Sequence, residues 1–580
     1  MVQLKAEIDA GPLDNSISIF SLIENGLRQK PDAPAVICLH ESADALDHLI
    51  VPSNPRERER GPADGECLML SYRQLHHTAV KLAVGFRAKG VAPGSTLLML
   101  VPNGGHYALL LWACILARLT FISVDPAEVL DDLKSQRIAS ILQETRPEVV
   151  VIPSVIEAKA MDGILGATSI TELLKISLKK VQEPGWERMT KLVSDGIANP
   201  LDMDALVEEA RCDDPDRLYS IMFTSGTSER PKGCPLRVGG AAHMVRSWSW
   251  LINQINSSYA LQQAHNSRGI APAQTVQTWA EGGAVVMTGR GFDVDDMLDA
   301  IRLNYASFVV LTPAMAHALA AHLETHQIDM SSVKTVQVGG DAVTKNVLVK
   351  CNSLFPHADV CINHGMTEGG ACFEWSFLDI APSDVPFFGQ ICPVGKTARG
   401  AAVRIWDTER EEIAERGRPG QLHLSSESII RHYLHGESAG SFYQQGGQRW
   451  FITGDIAMMT DEGTVYILGR SKDTIVSDGH LVMPFVIESC LEDLTGSQAS
   501  VIAIPHPVYG QVPYAVLQTL KQVDDHAIQD QVVRLLGTDY QLAGINSLEA
   551  LGMTTVPVND TRKIIKSQIK EAVMRYIDGK

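Results

Sequence analysis

The hydrophobic pattern of the N-terminal half alternates between two periods. Ser71 and Gln74 stand at the spacing of a reciprocal N-terminal cap. Leu75, Ala79, Leu82 and Phe86 then recur at helical spacing and Gly90 stops the run, which predicts a helix. Pro93-Gly94 turns the chain into a short apolar run, Thr96 to Val101, of strand length. An apolar helix through Leu110 and Trp112 follows, then a strand at Phe121 to Val124. A helix over Val129 to Gln143 leads into a strand at Val149 to Ile152. Strands alternating with helices in this way predict a mostly parallel sheet with helices against its faces.

Residues 41–66 interrupt the rhythm. The segment is polar and contains Pro55-Arg56-Glu57-Arg58-Glu59-Arg60, which reads as a solvated insert. The pattern changes again near residue 470. Beyond it a helix is predicted at Phe485 to Leu494, strands at Val501 to Ile504 and Tyr514 to Leu520, and a helix at Ile528 to Leu536. A third strand ending at Val556 and a last helix from about Lys563 complete a small α+β unit. The predicted division is residues 1–470 and 471–580, joined by a short hinge.

Composition narrows the class of partner. The chain has 580 residues, with 68 Asp plus Glu against 50 Lys plus Arg, a net charge of −18. That balance disfavours non-specific nucleic-acid or anionic-membrane binding, which needs a basic surface. The best apolar run, Ala108 to Ala117, is cut by Arg118 and falls short of the roughly 18–20 residues of a membrane span. The N-terminus has no apolar signal core and the C-terminus is not a peroxisomal tripeptide. Ten cysteines without a C-x-x-C pair point to a reducing, cytoplasmic compartment rather than to zinc or disulfides.

Several segments could carry chemistry. Tyr219 to Phe223 reads as a strand that enters Thr224-Ser225-Gly226-Thr227-Ser228-Glu229-Arg230-Pro231-Lys232-Gly233, a loop dense in hydroxyls and glycine with a lysine at its end. Such donors can surround a polyphosphate and the lysine can neutralise it; a surface turn is the plain alternative. It is not a Walker A loop, because Pro231-Lys232-Gly233 stands where glycine-lysine-hydroxyl is required. Glu368, after Thr367 at a strand end, could hold Mg²⁺ beside a phosphate. Asp455, on the turn Thr453-Gly454-Asp455, could accept both hydroxyls of a ribose. Gly436-Glu437-Ser438-Ala439-Gly440 matches a hydrolase nucleophile elbow in letters, but its flanks do not read as strand and helix. Phe292-Asp293-Val294-Asp295-Asp296 reads as the acidic first turn of a helix rather than as a metal cluster.

Taken in order, these motifs resemble the adenylate-forming superfamily of acyl-CoA synthetases, peptide-synthetase adenylation domains and beetle luciferases. The likeness runs from about Ser71 to the last helix. The phosphate loop T-S-G-T-T-G-x-P-K-G is matched by Thr224 to Gly233 with Glu229 in place of a glycine. Gly339-Gly340-Asp341 corresponds to the family's G-G-A, and His364-Gly365-Met366-Thr367-Glu368 to its Y-G-x-T-E. Thr453-Gly454-Asp455 is the T-G-D motif. Gly469-Arg470-Ser471-Lys472-Asp473 matches the hinge pattern G-R-x-K-D in full, with Gly479 and Glu488 following. Pro557 to Lys563 corresponds to the terminal P-x-T-x-x-G-K, with Asn559 and Arg562 substituted.

The resemblance implies an α/β fold: a large N-terminal domain of stacked α/β layers and a small mobile α+β C-terminal domain. It implies that a small-molecule carboxylic acid is activated by ATP with Mg²⁺, and that the acyl group passes from the acyl-adenylate to a thiol, usually that of coenzyme A. Lys563 would bridge the carboxylate and the α-phosphate, Thr367 would bond that phosphate, and Glu368 would hold the metal. Thr224, Ser225, Gly226, Thr227, Ser228 and Lys232 would cradle the outer phosphates. Gly339, Gly340, Asp341, His364 and Gly365 would frame the nucleotide, with His364 stacked on adenine. Asp455 and Arg470 would hold the ribose, and Lys472 would be the hinge pivot.

Three departures bear on this reading. Glu229 sets an anion beside the phosphate loop, Val238 stands where a histidine is frequent, and Val476-Ser477-Asp478 lacks the lysine of many thiolating members. The last two leave a carrier-protein thiol or an amine open as acceptor. The peptide-synthetase aspartate that holds an amino group falls near His265, so an aryl, fatty or polyketide-type acid is expected over an amino acid, with His265 on the substrate side. A catalytically impaired homologue and a serine hydrolase using Ser438 are the readings from other classes.

Overall fold

The computed structural model describes residues 4–14, 17–50, 67–168, 170, 172–199, 203–224, 231–248, 251, 258–289, 291–323, 328–436, 440–478, 480–519, 525–558 and 564–579. Among these residues the larger strands form three seven-stranded sheets and one five-stranded sheet. The first sheet runs in the order Gly233–Arg237, Leu218–Phe223, Thr120–Ser123, Thr96–Met99, Val149–Ile152, Leu174–Ser177, Trp186–Arg188. The second runs Asp359–Asn363, Thr335–Gly339, Phe308–Leu311, Tyr259–Gln262, Ala284–Met287, Pro34–Ser42, Cys67–Ser71. Both are parallel except at one edge. Their central strands, such as Val149–Ile152 and Ala284–Met287, are buried throughout, as continuous apolar runs between two helical layers require.

The predicted cap at Ser71 is present: its side chain accepts from Gln74 N, and the Gln74 side chain accepts from Ser71 N. The helix it starts, Tyr72–Ala88, buries Leu75, Ala79, Leu82 and Phe86. The neighbouring helix Gly105–Ala117 is buried from Tyr107 to Ala117, which accounts for its lack of a polar face. It packs Trp112 against Trp279 at 4.9 Å between ring centroids. Asp293 caps the helix Val294–Arg302 through its own carboxylate, as expected for the acidic first turn.

Two local expectations differ from the structure. The segment read as a solvated insert is folded as far as residue 50, and Leu46 and Leu49 are buried in the main core. Its remainder, residues 51–66, lies outside the described residues. The strand expected to end at Val556 is not formed; Gly544–Ser547 supplies that strand, and Val558 makes only a bridge to Ile564.

The third sheet is antiparallel, in the order Glu7–Asp9, Ala401–Asp407, Gly420–Ser426, Gln448–Met459, Phe442–Gln445, with Val465–Arg470 on the far side of Gln448–Met459. It ends at Arg470. A single turn, Ser471–Asp473, separates it from Ile475–Ser477, the first strand of the five-stranded sheet. The helix Pro484–Thr495 of this last unit rests on the third sheet, where Met483 joins Ile391, Met458, Tyr466 and Leu468 in a small apolar cluster.

Candidate active site

The phosphate-loop candidates start where Leu218–Phe223 ends. Thr224 N–H donates to the Lys232 carbonyl at 3.0 Å, and Lys232 N–H donates to Thr224 Oγ1 at 3.0 Å, so the two ends of the loop are pinned together. Ser225, Gly226, Thr227 and Ser228, with Glu229, lie outside the described residues. Lys232 Nζ stands 5.1 Å from the centre of the Tyr433 ring.

Tyr433 connects this lysine to the metal candidate. Its hydroxyl donates to Glu368 Oε1 at 2.6 Å. Burial, then the Glu368 carboxylate, pushes the Tyr433 phenol well above its ordinary range, so it remains a donor. Ile430 N–H donates to the Glu368 carbonyl at 2.8 Å, which fixes the backbone as well. Glu368 Oε2 has no hydrogen-bond partner among the described residues. Sequence reading passed over Tyr433, because its link to Glu368 spans 65 positions and no local pattern announces it.

Asp455 is the best-formed polar centre. It is paired across two strands with Arg470, whose Nε lies 3.1 Å from Oδ1. His364 Nε2 lies 3.7 Å from Oδ2, and Thr453 Oγ1 accepts from Asp455 N–H at 3.0 Å. Burial raises the carboxyl's pKa, but the nearby His364 ring and the Arg470 charge outweigh it and hold the group below its ordinary value. The site therefore presents a buried, ionised carboxylate. The His364 ring also meets the edge of Phe373 at 5.4 Å between centroids.

Gly339 and Gly340 lie at the end of a neighbouring strand. Gly339 pairs with Asn363, and a Cβ there would sit 2.3 Å from the Asn363 carbonyl oxygen. Gly340 turns the chain with φ of +82°, a conformation that favours glycine. Asp341 is exposed and accepts from Ala342 N–H at 2.9 Å. The Asn363 Oδ1 atom is buried without a partner.

Gly339, Gly340 and Asn363 open on a cavity of 760 Å³. Gly339, Gly340, Asn363, Gly365 and Thr367 line one part, and Met222, Leu236, Met244, Trp248, Ile270 and Val310 line an apolar part. His265 lies on the wall between Ala264 and Ser267. Its Nδ1 accepts from Ser267 N–H at 3.2 Å. Burial lowers its pKa, opposed by Asp125, which favours the uncharged ring. The volume is within the roughly 300–1,000 Å³ usual for small-molecule sites.

Lys472 is exposed on the turn between the third and five-stranded sheets. Lys563 lies outside the described residues; three positions on, Lys566 pairs with Glu488 Oε1 at 2.6 Å. Ser438 also lies outside them. It is preceded by the turn Leu434–Gly436 and followed by the hairpin strand Phe442–Gln445, not by the buried strand and helix that a nucleophile elbow needs. No group of three or more His, Cys, Asp or Glu residues suited to a metal occurs among the described residues.

Comparison with known proteins follows the same outline. The sequence model of the family described as AMP-binding enzyme matches residues 24–434. The chain is 22% identical over 516 residues to 4-coumarate–CoA ligase 1 of Arabidopsis thaliana, covering 86% of this chain and 87% of that one. The fold matches ATP-bound MatB from Rhodopseudomonas palustris with a TM-score of 0.72 and 20% identity, over 95% of this chain and 98% of that one. It matches the amide bond synthetase McbA from Marinactinospora thermotolerans with a TM-score of 0.73 and 19% identity, over 95% and 99% of the two chains.

Proposed function

The chain belongs to the AMP-binding enzyme family, and from that premise we propose that it is an ATP-dependent acid–thiol ligase that makes an acyl-adenylate and then an acyl-CoA. The observation that carries the reading is that the Asp455–His364–Arg470 cluster and the Glu368–Tyr433–Lys232 contacts flank a cavity lined by the Gly339–Gly340 turn and by Asn363, Gly365, Thr367 and Gly369, the chain neighbours of His364 and Glu368. A buried carboxylate held ionised by a histidine and an arginine is the kind of perturbed group that marks a functional site.

In the first half-reaction a carboxylate oxygen attacks the α-phosphorus of ATP, a P–O bond forms, and the bond to pyrophosphate breaks. Two anions must meet, so screening of charge is the main demand on the protein. Asp455 accepts the ribose hydroxyls and holds the nucleotide in register. Thr367 donates to the α-phosphate. Lys232 and the hydroxyl-rich loop through Ser225, Gly226, Thr227 and Ser228 hold the outer phosphates, and Lys563 offsets charge at the reacting oxygens. A Mg²⁺ ion would be held by Glu368 and phosphate oxygens, which suits a cation that binds few protein ligands; it supplies charge neutralisation on the departing pyrophosphate. Tyr433 occupies one oxygen of Glu368, which would leave the other for the cation.

In the second half-reaction the thiol sulfur of coenzyme A attacks the acyl carbon, the bond to AMP breaks, and the thiol proton leaves to solvent. The turn at Lys472 is the hinge between residues 1–470 and 471–580, which lets one site run both chemistries. His265 and the apolar wall take the acyl body, a small-molecule aryl, fatty or polyketide-type acid. An amine or carrier-protein thiol is the second acceptor reading, favoured by the absence of lysine at Val476-Ser477-Asp478 and by the fold shared with an amide bond synthetase. The described cysteines are all free thiols, in keeping with the cytoplasm. No described helix is long and apolar enough to cross a membrane.

Acid-dependent exchange of labelled pyrophosphate into ATP, over a panel of aryl, short-chain and long-chain acids and amino acids, tests the first half-reaction. Exchange with at least one acid is expected. No exchange from folded protein that binds ATP would overturn the reading in favour of an impaired homologue.

A further inference from the structure

A second cavity, of 430 Å³, lies behind the active site and has no place in the reaction above. Arg237, Arg431 and Arg449 converge on it. Two of them are partnered. Arg237 pairs with Asp216 and Glu427, each at 2.6 Å, and Arg431 pairs with Asp216 at 3.0 Å. Arg449 has no hydrogen bond or ion pair through its guanidinium among the described residues. The other two guanidiniums press on it, and burial followed by that repulsion lowers its pKa. Asp9, also on the wall, is engaged by Gly11 N–H and the Gln448 amide.

Glu427 also lines the cavity and its charge opposes that repulsion, but it is bonded to Arg237, and among the described residues this half-buried guanidinium has no carboxylate at pairing distance. Apolar side chains also line the cavity. Arg449 and Phe451 alternate onto one face of their strand, and Phe442 pairs with Phe451 across the hairpin. His243 does not add charge: burial lowers its pKa to about 4, and its Nε2 shares a hydrogen bond with Ser426 Oγ. A tetrahedral oxyanion with three terminal oxygens offers more acceptor positions to three forked donors than a carboxylate does.

We propose that this cavity is a second binding site, which takes the phosphoryl group of a small molecule on Arg449, Arg431 and Arg237. Its walls are continuous with the catalytic ones. Arg237 ends the strand that Gly233 begins directly after Lys232, and Arg431 lies between Ile430 and Tyr433, the two residues that bond Glu368. Free phosphate and an organic phosphate share this chemistry, and the aromatic wall distinguishes them.

The test is calorimetric titration of the full chain with inorganic phosphate and with phenyl phosphate, alone and with the nucleotide site filled by a non-hydrolysable ATP analogue. Binding that persists beside the analogue, and weakens at least about tenfold in Arg449→Gln, is expected. Arg449→Gln should bind the analogue as the unaltered chain does, which confirms its fold. Tighter binding of phenyl phosphate assigns the site to an organic phosphate, and equal binding assigns it to the free ion. No phosphate binding beside the analogue, or equal binding by Arg449→Gln, would overturn the proposal. Failure of the analogue to bind would strike the nucleotide reading alone, because the two proteins are also compared without it.

Discussion

Replacing Glu492 with glutamine should make the folded chain more stable at neutral pH and leave it unchanged in acid. Glu492 sits on Pro484–Thr495, the helix that rests on the third sheet, and its carboxyl titrates at about 7 in place of 4.5. Burial is the main cause. The Glu488 charge adds to it, while the Ala499 N–H, which donates to Glu492 Oε1 at 3.2 Å, and Lys350 of the large unit oppose it. Because the folded-state pKa is raised, the folded chain holds this proton more tightly than the unfolded chain. The stability tied to it is complete below about 4.5 and is lost as pH rises through about 7. The gap corresponds to about 3 kcal/mol at pH 8. A glutamine oxygen keeps the bond to Ala499 N–H and never ionises. Urea unfolding of both proteins from pH 4 to 8 should give curves that coincide in acid and diverge with pH. A constant difference at every pH would refute the reasoning, because it would show that the carboxyl does not titrate differently in the two states.

Three further outcomes follow from the site. Asp455→Asn removes the charge from the proposed ribose hydrogen bonds and should weaken binding of a fluorescent ATP analogue by about thirtyfold, near 2 kcal/mol; unchanged affinity would remove Asp455 from the nucleotide site. Tyr433→Phe frees both Glu368 oxygens and should raise the Mg²⁺ concentration needed for half-maximal pyrophosphate exchange by about tenfold, with urea stability little altered. An unaltered Mg²⁺ requirement would leave the tyrosine without a positioning role. Gly339→Ala drives a methyl to 2.3 Å from the backbone oxygen of Asn363 and should cost about 2–3 kcal/mol in urea unfolding, whereas an unchanged midpoint would contradict the close strand approach.

Local chemistry was readable along the chain. The Ser71 cap, the helix it starts and the acidic first turn at Asp295 and Asp296 each depend on residues close in sequence, and each formed as expected. Long-range pairing was not. Tyr433 and Glu368 meet across 65 positions, and nothing near Tyr433 marks it as a partner for a carboxylate. Leu46 and Leu49 were hidden in a polar segment, because two isolated leucines give no period. The strand Gly510–Leu517 starts earlier than the pattern suggested, since Gly510 and Pro513 weaken a strand signal that the pairing with Ala499–His506 restores. The cluster at Asp455 was legible only through resemblance: the turn expected at Thr453-Gly454-Asp455 lies within the strand Gln448–Met459, where Asp455 pairs with Arg470 and is met by His364 from the end of another strand.

The central claim is that a carboxylate attacks the α-phosphate of ATP at this site. It is tested most directly by supplying the acid selected by pyrophosphate exchange with both carboxylate oxygens labelled with ¹⁸O, and analysing the products by mass spectrometry. One labelled oxygen in the AMP released after acyl transfer, and none in pyrophosphate, is predicted, with the signal abolished in Lys563→Ala and retained in Ser438→Ala. Label in phosphate or pyrophosphate, unlabelled AMP, or loss of the signal in Ser438→Ala with Lys563→Ala intact would contradict the account.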